Sequence, residues 1–561
     1  ERNNDNFLVK GTWFLSTKGL GSHNIAFGYD NFGSQRLSNN WQSGSSWILY
    51  PTSVQYVGGI LYPVIDSSSY FVYAPIPELS QGSDVRTNSL FVNDTWRLNN
   101  RLSFNVGLRW DKNDATDAGG NVTANDSAFS PRLSASFDVT GNGKLRASAS
   151  YARYVGQVQE SFAGSGATGA GAPASYYYYW TGAPINDDPA GPLTPSDQVL
   201  RTMFTALGVT GLNQFPNVPA DTASVPGVNQ LIRDSLESPY ADEYVLGIGG
   251  SIGTDLVYRL DGIYRNYTNF YSTRRDMSTG QVEDSVGNVY DLGLYENSSK
   301  PEREYTGLHT SLAWRTGGLN LAANWTWSRM RGNFVGENTG SGPLAANFDN
   351  YPEYFDVRWW APRGDLQQDQ RHRVRILASY DFRLGILGIT PGLVQQYDTG
   401  TPYGAVGNVN SRSFVTNPGY VAPPATVPYY FTARDAYRTD DIWTTNLSLS
   451  LNLNLGPVEI FVLPQILNVF NNDGVLAPNT SVSVGTRSTP NAAGLVSFNP
   501  FTTTPIECPQ TASAAECTAM GANWKKGVNF GKPTTGASSA VSRSGSFQPT
   551  RQWLVSMGIR F

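Results

Sequence analysis

Residues 102–111, which read LSFNVGLRWD, carry the clearest structural signal in this chain. Apolar side chains occupy the even positions, and polar, charged or glycine residues occupy the odd positions. A period of two places successive side chains on opposite faces of a β-strand. About ten residues is also the length that a tilted strand needs to cross a bilayer. The stretch therefore predicts a membrane-spanning strand whose even side chains, Val106 among them, face lipid.

The same alternation recurs at residues 319–328 and 447–455. Such strands come in pairs joined by short turns that contain Gly or Asn, at 99–100, 141–143, 253–254, 317–318 and 456–457. Between the pairs run long polar stretches rich in Gly, Pro, Ser and Tyr, at 36–84, 159–239, 277–302, 335–368, 405–438 and 473–545. Short turns at one end and long loops at the other are typical of outer-membrane barrels, whose turns face the periplasm.

The composition agrees with a surface that meets lipid. Aromatic residues make up 12% of the 561 residues and charged residues only 15%, against about 25% charged in an average soluble domain. No apolar run approaches the roughly 20 residues of a membrane helix. The alternative is a secreted propeller or sandwich, which would show a fixed repeat or shorter strands. We predict an all-β fold, an antiparallel transmembrane β-barrel with long extracellular loops.

Charge and cysteine content exclude other classes of protein. The net charge of −5 offers no basic face for nucleic acid. Cys508 and Cys517 are close in sequence, which favours a local disulfide in an exported chain. Zinc binding is the rival interpretation, but neither cysteine has a histidine nearby. No signal peptide is visible at the start, so the chain is expected to be a processed protein or a fragment.

Five sequence motifs resemble the barrel of TonB-dependent outer-membrane receptors, and among them the Oar-like group. Each motif is short and weak alone, but together they follow the family's order along the chain. They are the pair 91–98 and 102–111 (FVNDTWRL and LSFNVGLRWD), 130–138 (SPRLSASFD), 369–374 (DQRHRV), 400–403 (GTPY) and 467–471 (LNVFN).

The resemblance implies a Gram-negative outer-membrane transporter that takes a large or scarce solute through a plugged barrel energised by TonB. The plug and the TonB-binding segment are not in the sequence, so residues 1–561 are expected to be one partial barrel domain. A diffusion porin, or a surface adhesin or receptor that binds a partner through its loops without transport, are the alternatives. The transported substrate has no general sequence code.

The strand count predicts an incomplete barrel. Fifteen strands are expected, near 5–17, 21–35, 85–99, 101–114, 128–140, 144–158, 240–252, 254–274, 303–316, 319–334, 370–384, 387–403, 439–455, 458–471 and 547–561. An odd number does not close a single-chain bacterial barrel. With the about 22 strands of plugged transporters, about seven strands and a plug are expected upstream of Glu1.

The sequence indicates no catalytic, cofactor or metal site. His372 has Asp369 and Ser379 nearby, but the surrounding arginines favour a polar strand on a lumen or rim over a catalytic triad. Asp187, Asp188 and Asp197 lack the alternating spacing of a calcium loop. A solvated loop is the simpler interpretation of these aspartates, and calcium in the loops stays open.

Two aromatic clusters in the predicted exterior loops are candidate ligand contacts, because rigid amphipathic rings bind at low entropic cost. Packing between loops and an interfacial aromatic girdle are the alternatives. The clusters are Tyr176, Tyr177, Tyr178, Tyr179 and Trp180, and Tyr351, Tyr354, Phe355, Trp359 and Trp360.

The C-terminus predicts a last amphipathic strand that ends on an aromatic residue. Such an ending resembles the signal read by the outer-membrane assembly machinery, although a last strand would look the same without that role. The apolar positions are Trp553, Val555, Met557, Ile559 and Phe561.

Overall fold

The structure, a computed structural model, describes most of the chain. The described residues are 1–156, 158, 169–188, 190–211, 214–228, 230–232, 234–275, 281–283, 287, 289–335, 361–411, 414, 427–533 and 547–561.

One large antiparallel sheet of fifteen long strands forms the body of the molecule. The segments His372–Tyr380 and Phe382–Leu384 are counted as one long strand, and the short strand Gly364–Asp365 pairs with the end of the strand Leu319–Gly332. The long strands are β1 Arg2–Thr17, β2 Gly21–Arg36, β3 Ser83–Arg97, β4 Leu102–Thr116, β5 Val122–Asp138, β6 Leu145–Val155, β7 Tyr240–Ile252, β8 Leu256–Thr268, β9 Arg303–Thr316, β10 Leu319–Gly332, β11 His372–Tyr380 with Phe382–Leu384, β12 Leu387–Asp398, β13 Ile442–Leu455, β14 Val458–Leu467 and β15 Gln552–Arg560.

Each long strand pairs with its neighbours in the sequence, as in an up-and-down barrel wall. The turns at Gly253 (φ 63°) and Gly317 (φ 55°) use the positive φ that glycine adopts without strain. Among the described strands, β1 pairs only with β2 and β15 only with β14. The two therefore form the edges of the sheet, and no pairing between them closes it.

The sheet is apolar outside and polar inside, the reverse of a soluble protein. Outward side chains are exposed, for example Val106 at 46% and Leu246 at 70%. Polar side chains on the opposite face are buried, for example Ser89 at 1% and Asn113 at 2%. Exposed apolar and buried polar faces are expected where the outer face meets lipid. The faces are those that the alternation in residues 102–111 predicts.

Prolines interrupt the sheet on the two outer sides of the β12–β13 pair. The pairing of β11 with β12 skips Thr390 and Pro391, whereas the pairing of β12 with β13 continues unbroken past Pro391. On the other side, the pairing of β13 with β14 skips Leu449 and Ser450 where Pro464 lies in β14. Proline has no backbone N–H and so removes a bond from the ladder. The wall therefore has fewer hydrogen bonds between β11 and β12 and between β13 and β14, at the same height.

Where the long loops are described, they are folded into small sheets and two helices, although the sequence indicated only polar connections. Among the described residues, none of the helices is long and apolar enough to cross a membrane. The helices are α1 Ser196–Ala206 and α2 Ala514–Ala519. The loop strands are Trp47–Tyr50, Ser53–Val57, Ile60–Val64, Tyr70–Tyr73, Ser175–Tyr179, Thr222–Ser224, Gln230–Ile232, Phe270–Arg275, Gln281–Glu283, Val289–Asp291, Gly293–Ser298, Pro402–Tyr403, Val406–Val409, Val427–Tyr430, Tyr437–Arg438, Val482–Val484, Glu507–Cys508 and Trp524–Lys526.

The fifteen predicted long strands all occur, but some predicted boundaries are wrong. The strand expected at 254–274 ends at Thr268, because Asn269 takes a positive φ of 63° and breaks the ladder. Phe270–Arg275 then joins a separate three-stranded loop sheet. The strand expected at 387–403 ends at Asp398, and Pro402–Tyr403 belongs to a two-stranded sheet.

Candidate functional site

The tyrosine run in the loop between β6 and β7 forms one strand of a four-stranded sheet. Ser175–Tyr179 pairs with Tyr70–Tyr73 on one side and Thr222–Ser224 on the other. The strand's period of two turns Tyr176 and Tyr178 to one face, where each is only 3% exposed. Tyr179 points to the other face and is 42% exposed. The cluster thus divides into a buried pair and an outward set.

The buried face is the core of the folded loop. Trp47 stacks on Tyr73 with ring centroids 4.7 Å apart, and Tyr176 meets Phe215 edge-on at 5.0 Å. Met203 of α1 completes this core. Tyr176 and Tyr178 therefore pack inside the folded loop.

The outward set forms what we call the tyrosine face: Tyr50, Tyr70, Tyr177 and Tyr179. The ring of Tyr70 lies at its centre, 4.9 Å from Tyr50, 5.8 Å from Tyr177 and 5.2 Å from Tyr179 between centroids. Tyr50 and Tyr179 are each more than two-fifths exposed. Trp180 is turned aside by the hydrogen bond of its indole N–H to the Ala183 carbonyl. The face presents adjoining rings on the surface of the folded loop.

The inner wall of the sheet carries a network of charged and polar side chains. Arg109 donates to Asp111 at 2.7 Å and to Ser89 at 2.6 Å, and lies 3.4 Å from Asp30. Thr87 donates to Asn113 at 2.7 Å, and Asn113 in turn donates to Ser238 of a loop at 2.9 Å. Buried polar groups need such partners. The network fixes these side chains along a polar lumen.

A cluster of three arginines and two aspartates lies at the outer end of β10 and β11. Asp365 accepts from Arg329 at 2.7 Å and Arg371 at 2.6 Å. Asp369, which is 1% exposed, accepts from Arg438 at 2.6 Å and from the Met330 backbone N–H at 2.8 Å. The 369–374 motif supplied Asp369 and Arg371. Nothing in the local sequence indicated Arg438, which lies 69 residues further on.

The structure does not assemble a catalytic triad around His372. The His372 ring accepts at Nδ1 from the Trp325 indole N–H at 3.2 Å and stacks on that ring. Asp369 is instead held by Arg371 and Arg438. In the part of the chain that is described, no group of three His, Cys, Asp or Glu residues is placed to hold a metal ion. Asp188 caps its own turn by accepting from the Ala190 N–H.

A second folded unit lies in the loop before β15. A disulfide joins Cys508 to Cys517, and both residues are fully buried beside Leu495. Helix α2 begins with a capping box, in which Ser513 and Glu516 satisfy each other's backbone N–H groups. The hydrogen bonds from the Ser513 N–H and hydroxyl lower the pKa of the Glu516 carboxyl below its ordinary value.

The remaining candidate residues are the second aromatic cluster and the C-terminal strand. Tyr351, Tyr354, Phe355, Trp359 and Trp360 lie outside the described residues. The apolar residues of β15 pair with outward positions of β14, for example Val555 with Pro464 and Met557 with Val462. They therefore belong to the lipid-facing side of an edge strand, and Phe561 follows it fully exposed.

Long antiparallel strands, an apolar outer face, a polar inner face, short turns at one end and folded loops at the other define an outer-membrane β-barrel protein. Residues 2–471 match the family model described as "TonB dependent receptor-like, beta-barrel", which is well over half of the chain. The chain belongs to the TonB-dependent receptor family, and its place is the bacterial outer membrane.

Individual relatives are more distant. The chain is similar to the TonB-dependent transporter Oar of Myxococcus xanthus, with 24% identity over 404 residues that cover 69% of this chain and 35% of the relative. Among solved structures, it is similar to the outer membrane transporter YddB of Escherichia coli, with 14% identity, a TM-score of 0.46 and coverage of 85% and 52% of the two chains. It is also similar to the ferric yersiniabactin uptake receptor FyuA of Yersinia pestis, with 12% identity, a TM-score of 0.39 and coverage of 86% and 51%. The chain thus spans about a third to a half of the length of these proteins.

Proposed function

We propose that this barrel serves TonB-dependent transport of a large or scarce solute across the outer membrane. The match of residues 2–471 to the family's barrel carries the proposal, and the name of the Myxococcus relative agrees with it. The family consists of receptors and transporters, and we infer that this chain is likewise not an enzyme. The plug, the TonB-binding segment and the remaining strands of a barrel of about 22 are part of the same proposal.

Transport is tested by comparing what cells remove from their medium. Three strains are needed: the wild type, a deletion of this gene and a deletion of tonB. Compounds taken up by this barrel should stay in the medium of both deletion strains, because uptake needs both the barrel and the energy source. A compound that depends on this gene but enters normally without TonB would identify a diffusion porin and overturn the proposal.

We further propose that the tyrosine face contacts the extracellular ligand. Its rings adjoin one another, are partly exposed and are held by a folded loop, so little conformational entropy is lost when a ligand stacks on them. Each ring is expected to contribute about 0.5–1.5 kcal/mol. Surface binding without transport would use the same face, and only the uptake comparison separates the two functions.

The test of the tyrosine face pairs two variants with one control. Tyr177→Ala and Tyr179→Ala should weaken binding of a compound identified by the uptake comparison, without changing surface levels. Tyr56→Ala removes a ring that is 71% exposed in the neighbouring hairpin but lies outside the face. The assignment fails if Tyr56→Ala weakens binding as much as the other two variants.

A further inference from the structure

A polar pocket of about 630 Å³ opens at the short-turn end of the sheet. It lies where the first three hairpin turns meet, between β1 and β2, β3 and β4, and β5 and β6. Because short turns face the periplasm in outer-membrane barrels, the pocket opens toward the periplasm. The site is separate from the tyrosine face and from the ion cluster at the outer end.

Three arginines line this pocket against a single carboxylate. The arginines are Arg97, Arg101 and Arg146, and the carboxylate is Asp138. Two backbone N–H groups of the β5–β6 turn already bond Asp138, at 2.9 Å from Gly141 and 2.7 Å from Gly143. Arg101 donates to the backbone carbonyls of residues 138 and 139, at 3.1 and 2.6 Å. Within the described part of the chain, none of the three arginines forms an ion pair.

The positive charge is confined to one half of the turn end. Counting each turn with three flanking residues on either strand, the first three hairpins hold five basic residues and one acidic residue. The remaining turns and the end of β15 hold three basic and two acidic residues, namely Arg315, Arg383 and Arg560 against Asp255 and Glu459. In a chain with a net charge of −5, an excess of four positive charges in one sector is a local feature of the surface.

The pocket faces the lumen, away from lipid. Arg97 pairs in register with Ser103, and Ser136 pairs with Ser103 on the next strand. These positions share the face of Asn105 and Arg109, opposite the apolar side chains. A phospholipid headgroup would approach from the opposite, outward face. Guanidinium groups bind carboxylates through paired charge-assisted hydrogen bonds, which suits several acidic side chains presented together.

We propose that this pocket, lined by Arg97, Arg101 and Arg146, binds an acidic peptide segment on the periplasmic side of the barrel. The segment is part of a protein that approaches the pocket from the periplasm. Its recognition depends on clustered Asp or Glu side chains. The site is independent of the transported solute, so it does not depend on the proposed function.

The test measures binding of a fluorescein-labelled hexaglutamate peptide to the full chain in uncharged detergent by fluorescence anisotropy. The wild type should bind it, with affinity that falls as salt rises, and should not bind hexalysine. Arg97→Gln combined with Arg146→Gln should weaken binding by about tenfold or more. Heat-modifiable migration in gels checks that each variant is folded.

The matched control is Arg315→Gln combined with Arg383→Gln, which removes the same charge from lumen-facing positions at the same end. This pair should leave hexaglutamate binding unchanged. If both double variants weaken hexaglutamate binding equally, the peptide is held by general charge attraction and the proposed site is wrong. The proposed site is also wrong if the wild type does not bind hexaglutamate. Hexaglutamate binding that is lost in nanodiscs with anionic lipid, but not in neutral ones, would assign the pocket to lipid instead.

Discussion

At the scale of single residues, the side of the wall that a side chain faces decides what it tolerates. Val106 is exposed on the lipid face, whereas its neighbour Asn105 faces the lumen and donates to Ser134 at 3.1 Å. An arginine at position 106 would place a charge in the hydrocarbon, but an arginine at 105 would meet a polar space. The two positions are adjacent, so they form a matched pair.

Val106→Arg is therefore expected to destabilise the folded barrel by about 2–4 kcal/mol, and Asn105→Arg only slightly. Folding titrations into lipid vesicles measure both costs. If the two substitutions cost the same, the assignment of faces is wrong.

The outer ion cluster makes a second prediction at this scale. Asp369→Asn removes the charge that Arg371 and Arg438 share, and because Asp369 is buried the loss should be about 3 kcal/mol. Asp84→Asn is the control, because Asp84 is partly exposed and its closest arginine nitrogen, on Arg86, lies 3.8 Å away. It should cost less than about 1 kcal/mol. Urea unfolding in detergent compares them, and similar losses would contradict the assigned role of the cluster.

Residue roles were predictable where they depend on the strand period and not where they depend on distant partners. The sequence singled out Tyr176–Tyr179 as one group, but the buried pair and the outward pair separate only because Trp47 and Phe71 arrive from another loop. In the same way, the 369–374 motif shows Asp369 but not Arg438. Contacts between loops have no periodic signal in the sequence.

At the scale of elements, the long strands were predictable because lipid and lumen impose opposite polarity on alternate residues. The loop strands do not separate lipid from lumen, so their alternate residues show no regular change in polarity. The sequence therefore indicated only polar connections there. Strand ends were missed where a loop strand follows after a short break, as at Asn269. Both kinds of strand have the same local preferences, and only the pairing partner distinguishes them.

The disulfide unit is expected to be local. Joining Cys508 to Cys517 should stabilise that loop by about 2–3 kcal/mol at most through loop entropy, and Cys508→Ser with Cys517→Ser should leave barrel assembly intact. Mass spectrometry of a non-reduced digest of protein from outer membranes should find the linked peptides. Two free thiols would rule the bond out in the cell.

Helix α2 next to the disulfide should respond to acid. The pKa of Glu516 is lowered on folding, so the stability it adds is present above its ordinary value of 4.5 and is lost as the pH falls through the lower, folded value. The protection of the Ser513 amide from hydrogen exchange, relative to its intrinsic rate at each pH, should therefore fall in acid. Glu516→Gln keeps an acceptor oxygen that does not titrate, so its protection should not change with pH, and an equal loss of protection in acid in that variant would refute the pH role.

At the scale of the whole molecule, the last strand predicts how the barrel is assembled. Deleting Phe561 should lower the amount of protein at the cell surface more than it lowers stability in detergent, because the residue is fully exposed after β15 and contributes little packing. Surface labelling and thermal unfolding give the two readouts. Normal surface levels would exclude a signal role.

The overall architecture was more predictable from the sequence than the structure of the loops was. Fifteen strands, their faces and their turns were predictable, because each rests on a pattern inside one segment. The prediction that about seven further strands and a plug complete the barrel stays a prediction, since it concerns residues beyond this chain. The positions of the loop units relative to one another required the structure.

The prolines that flank the β12–β13 pair have a mechanical consequence. A wall built from hydrogen-bonded strands resists a lateral pull through the bonds between neighbouring strands, and Pro391 and Pro464 weaken those bonds between β11 and β12 and between β13 and β14. The load that the rest of the sheet shares evenly is carried there by fewer bonds. A force that peels the wall apart would therefore begin its tear on an outer side of the β12–β13 pair, beside Pro391 or Pro464.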